Sequence, residues 1–368
     1  MRGLKMNDLF LNFKILLSFW NMLGPKNYGR IGPRQIFEKK LAKFLGCDYA
    51  LGVASGTDAL ILSLKALGIG PGDEVIVPAI SFFSTAGTVA WINAKPVFVD
   101  VELGSFNIDP NLIEKVVTPK TKGIIVTHLN GRMATLEKIL DIAQGHNLFL
   151  IEDAAQAFGS QYKNHHPGYF GDIACLSFNP SKILTAGGDG GAIVTNNKDI
   201  AEKISLLRMY GTTADKLSME HYLVGVASRL SPFHAAVMNI MLDNFDSIIE
   251  KRRKNYFLYS ELLRGIGDWV LPEVLQDYFI NGYRYVILTK KRDALHKFLR
   301  ENKVDSRVQY GVPLPYFEAF GYLGYKKGDF PIAEKIADES LVLPTEGRIP
   351  EKEIRRTAEF VRKFFADN

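Results

Sequence analysis

The chain has 368 residues, 47% of them hydrophobic, and a formal charge of +5 from 45 basic and 40 acidic side chains. That length and apolar content can bury a sizeable core and suit one large and one small domain, while so small a surplus, without a sustained basic block, gives no expectation of nucleic-acid binding. The two cysteines, Cys47 and Cys175, lie far apart without C-x-x-C spacing, which argues against a disulfide framework or a zinc site and suits a reducing cytosol.

The first residues, M-R-G-L-K-M-N-D-L-F-L-N-F-K-I-L-L-S-F-W-N-M-L-G, have a basic start and an apolar run. Asn12 and Lys14 interrupt it, no small-residue cleavage site follows, and the run is too short and too polar to span a bilayer. Residues 1–28 are therefore expected to form an amphipathic arm that packs on the domain or on a second subunit; a membrane-surface helix is the alternative. Ile36 to Gly46 has helical spacing, with Phe37, Leu41, Phe44 and Leu45 on one side and Gly46 as the stop. Ser55, Gly56 and Thr57 then open a helix that ends at Gly68. Unpaired N–H groups beside a hydroxyl at a helix start can bind phosphate, and the same pattern also serves as a plain cap.

Val75 to Val77 reads as a strand, followed by P-A-I-S-F-F-S-T, where an aromatic past the strand end can stack on a flat ring or simply pack. Pro96 to Asp100 and Gly123 to Thr127 are further β-rich runs. Strands alternating with helices at these intervals predict a mainly parallel sheet covered on both faces. His128 follows one strand end and is expected to be a hydrogen-bonded structural residue.

Leu148 to Ile151 reads as a buried strand with Glu152 and Asp153 at its carboxyl end, where open α/β sheets place their ligands. Ile173 to Phe178 leads to Ser177, Lys182 and the glycines 187, 188, 190 and 191. A lysine amine forms an imine with an aldehyde. If the aldehyde belongs to pyridoxal phosphate, the ring is an electron sink only while its pyridine nitrogen stays protonated, so a carboxylate must face that nitrogen. Asp153 is the candidate, Ser177 can hydrogen-bond the phosphate, and the glycines let backbone approach the ring. Further on, Ala201 to Met209 reads as a helix, and Phe245 to Gly265 as a long helix with Lys and Arg on one side that crosses into a smaller domain. Gly282 to Thr289 reads as a strand, Asp293 to Asn302 as a helix, and the chain closes on a helix with an Ile354, Val361, Phe364, Phe365 stripe. The expected division is an arm over 1–28, a large cofactor-binding domain over 29–244 and a small domain over 245–368.

The stretch E-D-A-A-Q-A-F-G-S, then G-D-I-A-C-L-S-F-N-P-S-K, then G-D-G-G-A-I-V-T closely resembles the sugar-nucleotide aminotransferases of the DegT/StrS family, and the likeness runs from about Gly29 to the C-terminus. It implies an α/β fold of aminotransferase fold-type I, with a mainly parallel sheet between helices in the large domain and a smaller C-terminal α+β domain. It makes Lys182 the imine-forming residue, Asp153 the partner of the pyridine nitrogen and Gln156 the residue beside the cofactor's phenolic oxygen. Ser177, Gly56 and Thr57 become phosphate ligands and Phe82 the aromatic on the ring, with Phe83 assigned to the core. The activity implied is transfer of an amino group from an amino acid, L-glutamate, to a nucleotide-linked keto-sugar, with Asp189 of G-D-G-G pointing to carbon 3. The setting implied is a cytoplasmic homodimer whose sites use both subunits.

The chain departs from the family at three positions. Ala227 stands where the family has an asparagine that reaches the neighbouring subunit's cofactor phosphate, and Gln309 and Pro315 replace two histidines where the family reads its sugar. Two other readings stand beside the first: a sugar dehydratase or deaminase using the same cofactor, against which Lys182 argues, and a degenerate regulatory member.

Overall fold

Strands β1 (Tyr49–Val53), β2 (Glu74–Pro78), β3 (Lys95–Val99), β4 (Thr121–Thr127), β5 (Phe149–Asp153), β7 (Ile173–Ser177) and β8 (Gly191–Thr195) form one seven-stranded sheet in the order β1-β8-β7-β5-β4-β2-β3. The computed structural model describes residues 32–213, 219–267 and 276–367, so the expected arm lies outside the described residues. β8 runs antiparallel to both of its neighbours, and the other pairings are parallel. Every strand but β8 therefore ends on one edge of the sheet, and β8 begins there.

The strands are short apolar runs buried on both faces, as parallel sheets require. Alternation sends neighbours to opposite sides. Val75, Val77, Ile173 and Cys175 join one core with Leu60 and Leu64, while Ile76 packs with Ile139 and Ile142, and Ala174 and Leu176 pack with Phe37 and Leu41. The helices supply the matching faces: α1 (Pro33–Leu45), α2 (Gly56–Ala66), α3 (Ser84–Trp91), the single turn α4 (Pro110–Ile113), α5 (Glu137–Gly145), α6 (Lys198–Leu207) and α7 (Pro232–Asp243). In α1 the buried Phe37, Leu41 and Leu45 recur every fourth residue, Pro33 occupies the first turn, and Gly46 ends the helix at φ 71°. Cys175 is core, with Sγ 3.3 Å from Ser63 Oγ.

The C-terminal part is built on β10 (Tyr285–Leu288) paired antiparallel with β11 (Ser340–Leu343), while the short β6 (Gln161–Tyr162) and β9 (Tyr278–Phe279) pair elsewhere. Around β10 and β11 pack α8 (Phe245–Leu262), α9 (Arg292–Glu301) and α11 (Glu351–Asp367); α10 (Pro331–Glu339) precedes β11. Ile354, Val361 and Phe364 are buried as the closing stripe predicts, and Phe365 is half-buried.

The long helix α8 belongs to two cores: Phe245 and Ile249 pack under the large sheet, Tyr256 and Tyr259 against β10 and β11. Its basic residues are not all solvated. Arg252 is buried and donates from Nη1 to the Tyr283 carbonyl at 3.4 Å, and burial lowers its pKa below the ordinary arginine value.

Two clips seat the C-terminal part on the ligand edge. Asp100, just past β3, accepts from the Ile332 and Ala333 N–H groups at 2.9 and 2.8 Å, which caps α10. The Leu314 N–H donates to the Ala79 carbonyl at 2.7 Å, bringing the chain around Gln309 and Tyr310 over the end of β2.

Candidate active site

A cavity of about 480 Å³ lies at that edge, and the ends of five strands and the start of β8 reach it. β1 delivers Ser55, Gly56 and Thr57, β2 delivers Ser81 and Phe82, and β4 delivers His128. β5 delivers Asp153 and Gln156, β7 delivers Ser177 and Lys182, and the turn before β8 delivers Asp189 and Gly190. Lys182, Asp153, Gln156, Ser177, Gly56, Thr57 and Phe82, the seven side chains and helix-start residues assigned to the cofactor from sequence, all line this one cavity, whereas Pro315 does not. Tyr283, Arg284, Gln309 and Tyr310 from the C-terminal part line it too.

The phosphate-sized end is made by α2. Its cap Ser55 accepts from the Asp58 N–H at 3.0 Å, which leaves the N–H groups of Gly56 and Thr57 in the first turn without an intrahelical acceptor. A Cβ on residue 56 would lie 2.8 Å from the Ser177 Cβ, and one on residue 191 would lie 2.4 Å from the Ser55 carbonyl oxygen. Glycine at these positions lets the helix start close onto Ser177, forming a cradle of backbone N–H and hydroxyl groups suited to an anion. The approach Gly191 permits is thus to the backbone of Ser55, whereas the sequence suggests an approach to the ring.

At the floor, the buried Asp153 carboxylate accepts from Thr85 Oγ1 at 2.8 Å and from the Ala155 N–H at 3.3 Å. Thr85 has one proton and gives it to the carboxylate, so the hydrogen bond between Ser81 and Thr85 hydroxyls, 2.8 Å, is donated by Ser81. Burial raises the Asp153 pKa above the ordinary carboxylate value; the Thr85 and Ala155 hydrogen bonds and the charge of Lys182 oppose it without cancelling it. Gln156 is oriented at both ends: Oε1 accepts from the Asn130 N–H at 3.0 Å and Nε2 donates to Tyr310 Oη at 3.1 Å. One Nε2 proton remains for a ligand oxygen.

Lys182 Nζ lies 5.4 Å from the centroid of the Tyr283 ring, and the Arg284 guanidinium carbon lies 4.7 Å from the same centroid. Burial pushes the Tyr283 phenol up, but the positive charges of Lys182 and Arg284 and a Ser181 hydrogen bond outweigh it and leave the pKa below the ordinary tyrosine value. Asn281, fully buried, holds this wall in place. Its Nδ2 donates to the Gln156 and Phe158 carbonyls at 3.0 and 3.1 Å, and its Oδ1 accepts from the Tyr283 N–H at 2.9 Å.

His128 is structural, as expected from sequence. Its Nδ1 accepts from the Ala134 N–H at 3.1 Å, so the ring proton sits on Nε2 and is donated to Glu152 at 2.7 Å. Phe82 stands at the cavity with 57% of its surface exposed and its ring 6.4 Å from that of Tyr310. Phe83, expected in the core, is 45% exposed; it stacks on Phe320 at 5.5 Å, because the chain around 317–320 covers only one side of it. Ala227 and Arg229 are exposed and line no part of this cavity. Ser228 between them is buried and donates to Asp58 at 2.7 Å, so alternation turns its neighbours the other way. Asp189 is held by Asn179, whose Nδ2 donates at 2.9 Å.

Sequence reasoning missed Thr85, Tyr283 and Arg284. Thr85 was findable from its spacing, four residues after Ser81 at a helix start. For Arg284 the signal was alternation: Tyr283 and Tyr285 are buried, and the residue between them must point elsewhere.

Comparison with known proteins bears on this cavity. A model of the DegT/DnrJ/EryC1/StrS aminotransferase family matches residues 20–362. A pleiotropic regulatory protein of Geobacillus stearothermophilus is 41% identical, with 89% of each chain covered. A UDP-N-acetyl-3-dehydro-alpha-D-glucosamine 3-aminotransferase of Acidithiobacillus ferrooxidans is 37% identical over 96% of this chain and 94% of its own. Among solved structures, S. venezuelae DesV in complex with a ketimine intermediate superposes with a TM-score of 0.89 at 33% identity, covering 97% of this chain and 94% of DesV. NtdA of Bacillus subtilis with bound cofactor PMP superposes at 0.88 and 29% identity, covering 97% of this chain and 82% of its own.

Proposed function

The chain belongs to the DegT/DnrJ/EryC1/StrS aminotransferase family, and from that premise we propose that it is a pyridoxal-phosphate-dependent aminotransferase acting on a nucleotide-linked keto-sugar. The observation that carries this reading is the convergence of Lys182, Asp153, Gln156, Ser177, Gly56, Thr57 and Phe82 on one cavity. Their chemistry fits the cofactor. The α2 cradle with Ser177 would hold its phosphate, Asp153 would serve its ring nitrogen, the free Nε2 proton of Gln156 its phenolic oxygen, and Phe82 its ring. Pyridoxal phosphate, when bound, supplies an electron sink for charge developing on the substrate carbon. Lys182 Nζ would attach the cofactor at rest and, once freed, would carry the proton from the donor's α-carbon to the cofactor's reactive carbon. Asp153 would pair with a protonated ring nitrogen, and Thr85, itself fed by Ser81, keeps that carboxylate aimed.

L-Glutamate is the proposed donor. Asp189 in the cavity and the 3-amino chemistry in the name of the A. ferrooxidans relative support amination at carbon 3. We further propose a cytoplasmic homodimer in which Ala227 and Arg229, turned out of their own site, face the partner's. The G. stearothermophilus relative keeps a regulatory reading in view. A half-reaction decides: the loaded enzyme, coloured by its cofactor, should bleach on addition of glutamate. A protein that neither colours with pyridoxal phosphate nor bleaches with any amino donor would be a regulator.

Asp153 has a readout in the unloaded protein. A carboxyl whose folded pKa is raised holds its proton more tightly folded than unfolded, so it subtracts stability as pH rises from the ordinary carboxylate range, about 4, through its folded value. Asp153→Asn should therefore melt higher than wild type without cofactor, with a gap that opens as pH rises and then levels off. Loading pyridoxal phosphate should reverse the order, because only Asp153 can pair with a charged ring nitrogen. Melting curves from pH 4 to 8 that show no such widening would remove Asp153 from this role.

A further inference from the structure

Arg284 is the lining cation for which the reading above has no task. Its guanidinium pairs with no carboxylate among the described residues, its Nε is buried without a partner, and its one polar contact is a long one, from Nη2 to the Tyr283 hydroxyl at 3.4 Å. The other charges are committed. Asp189 is bound by Asn179, and Asp153 by Thr85 and Ala155. The guanidinium, its carbon 4.7 Å from the Tyr283 ring centroid, lines the cavity and carries a fork of N–H groups of the kind that matches a carboxylate.

We propose that Arg284 reads the side-chain carboxylate of the amino donor and so selects a dicarboxylic amino acid. This rests on the transaminase reading. Lys182 Nζ and the Arg284 guanidinium are held off one tyrosine ring, at 5.4 and 4.7 Å from its centroid. The far carboxylate of glutamate is several bonds from the carbon whose proton Lys182 takes, so a second cation lining the same cavity can hold it while Lys182 works at the α-carbon. Gln309 on the same wall, where the family has a histidine, adds a neutral amide that can donate to the same oxygens. Asn281 fixes the backbone at Tyr283, so Arg284 is presented from a rigid strand start.

The test uses the loaded enzyme and separates its two half-reactions. In wild type, bleaching should be faster with glutamate than with glutamine, which differs only in the far group. Arg284→Gln should lower the apparent second-order constant for glutamate by about 10- to 100-fold, as loss of one charged pair implies, and leave that for glutamine within about twofold. Arg284→Lys should recover part of the glutamate rate through its charge. Equal losses for glutamate and glutamine would move Arg284 to the α-carboxylate and overturn the proposal. A loss confined to the keto-sugar half-reaction, or no loss at all, would overturn it too. Failure of wild type to bleach with any donor would instead sink the transaminase reading, and colour retained by Arg284→Gln shows that the variant still folds and loads.

Discussion

Replacing Lys182 with alanine is expected to slow amino transfer by at least about 10³-fold, the scale of a lost proton-transfer group, while moving folding stability by no more than about 1 kcal/mol. The two halves of the expectation come from the same observation. Nζ makes no ion pair among the described residues, and the side chain is only half-buried, with Nζ 5.4 Å from the Tyr283 ring centroid, so little packing is lost with it. The chemistry has no replacement: the cavity's other cation, Arg284, cannot give up its proton. Lys182→Arg should therefore be as slow as Lys182→Ala. It should nevertheless still hold the Tyr283 phenol below its ordinary value, because that effect needs only the positive charge. Single-turnover bleaching with glutamate, denaturant melts and a tyrosinate absorbance titration check the three statements. A Lys182→Ala enzyme within tenfold of wild type would overturn the assignment, and so would failure of borohydride and peptide mapping to mark residue 182 in the loaded wild type.

The cofactor end of the cavity was legible in the sequence because its chemistry is written on strand ends. A carboxylate after β5, a hydroxyl and a lysine after β7 and a helix start after β1 need only the rule that parallel strands end on one edge. Glu152 and Asp153 show where such reading stops. They are adjacent acids at one strand end, yet only alternation, resolved by the structure, sends Asp153 into the cavity and Glu152 beneath it to His128 and the 168–171 turn. The substrate wall was not legible. Tyr283 and Arg284 reach the cavity through Asn281, which reads as an ordinary loop residue until its bonds to Gln156, Phe158 and Tyr283 are seen. Arg252 reads as a solvated helix charge, but the helix that carries it turns that position onto Tyr283. In each case a contact distant in sequence overrode a local pattern, and local patterns carry no information about such contacts.

Glu152 is expected to be the most expensive polar side chain to remove. It is fully buried, and its carboxylate accepts three hydrogen bonds: from His128 Nε2 at 2.7 Å and from the Gly168 and Gly171 N–H groups at 2.9 and 2.8 Å. Glu152→Ala leaves all three donors buried and unmatched, at about 1–3 kcal/mol each, so a loss of about 3–5 kcal/mol is expected after partial relaxation. Glu152→Gln separates shape from chemistry. The amide oxygen can still serve the two glycines, but its NH2 then faces the His128 Nε2 proton. The imidazole cannot relieve that conflict by shifting its proton to Nδ1, because Nδ1 already accepts from Ala134. The expected cost is about 1–3 kcal/mol, the scale of one buried unmatched pair. Because His128 lines the cavity, weaker cofactor binding should accompany the loss. Urea melts of both variants would show this ranking. If Glu152→Gln matched wild type, His128 would be free to change tautomer, and the rigid floor that these contacts describe under the site would not exist.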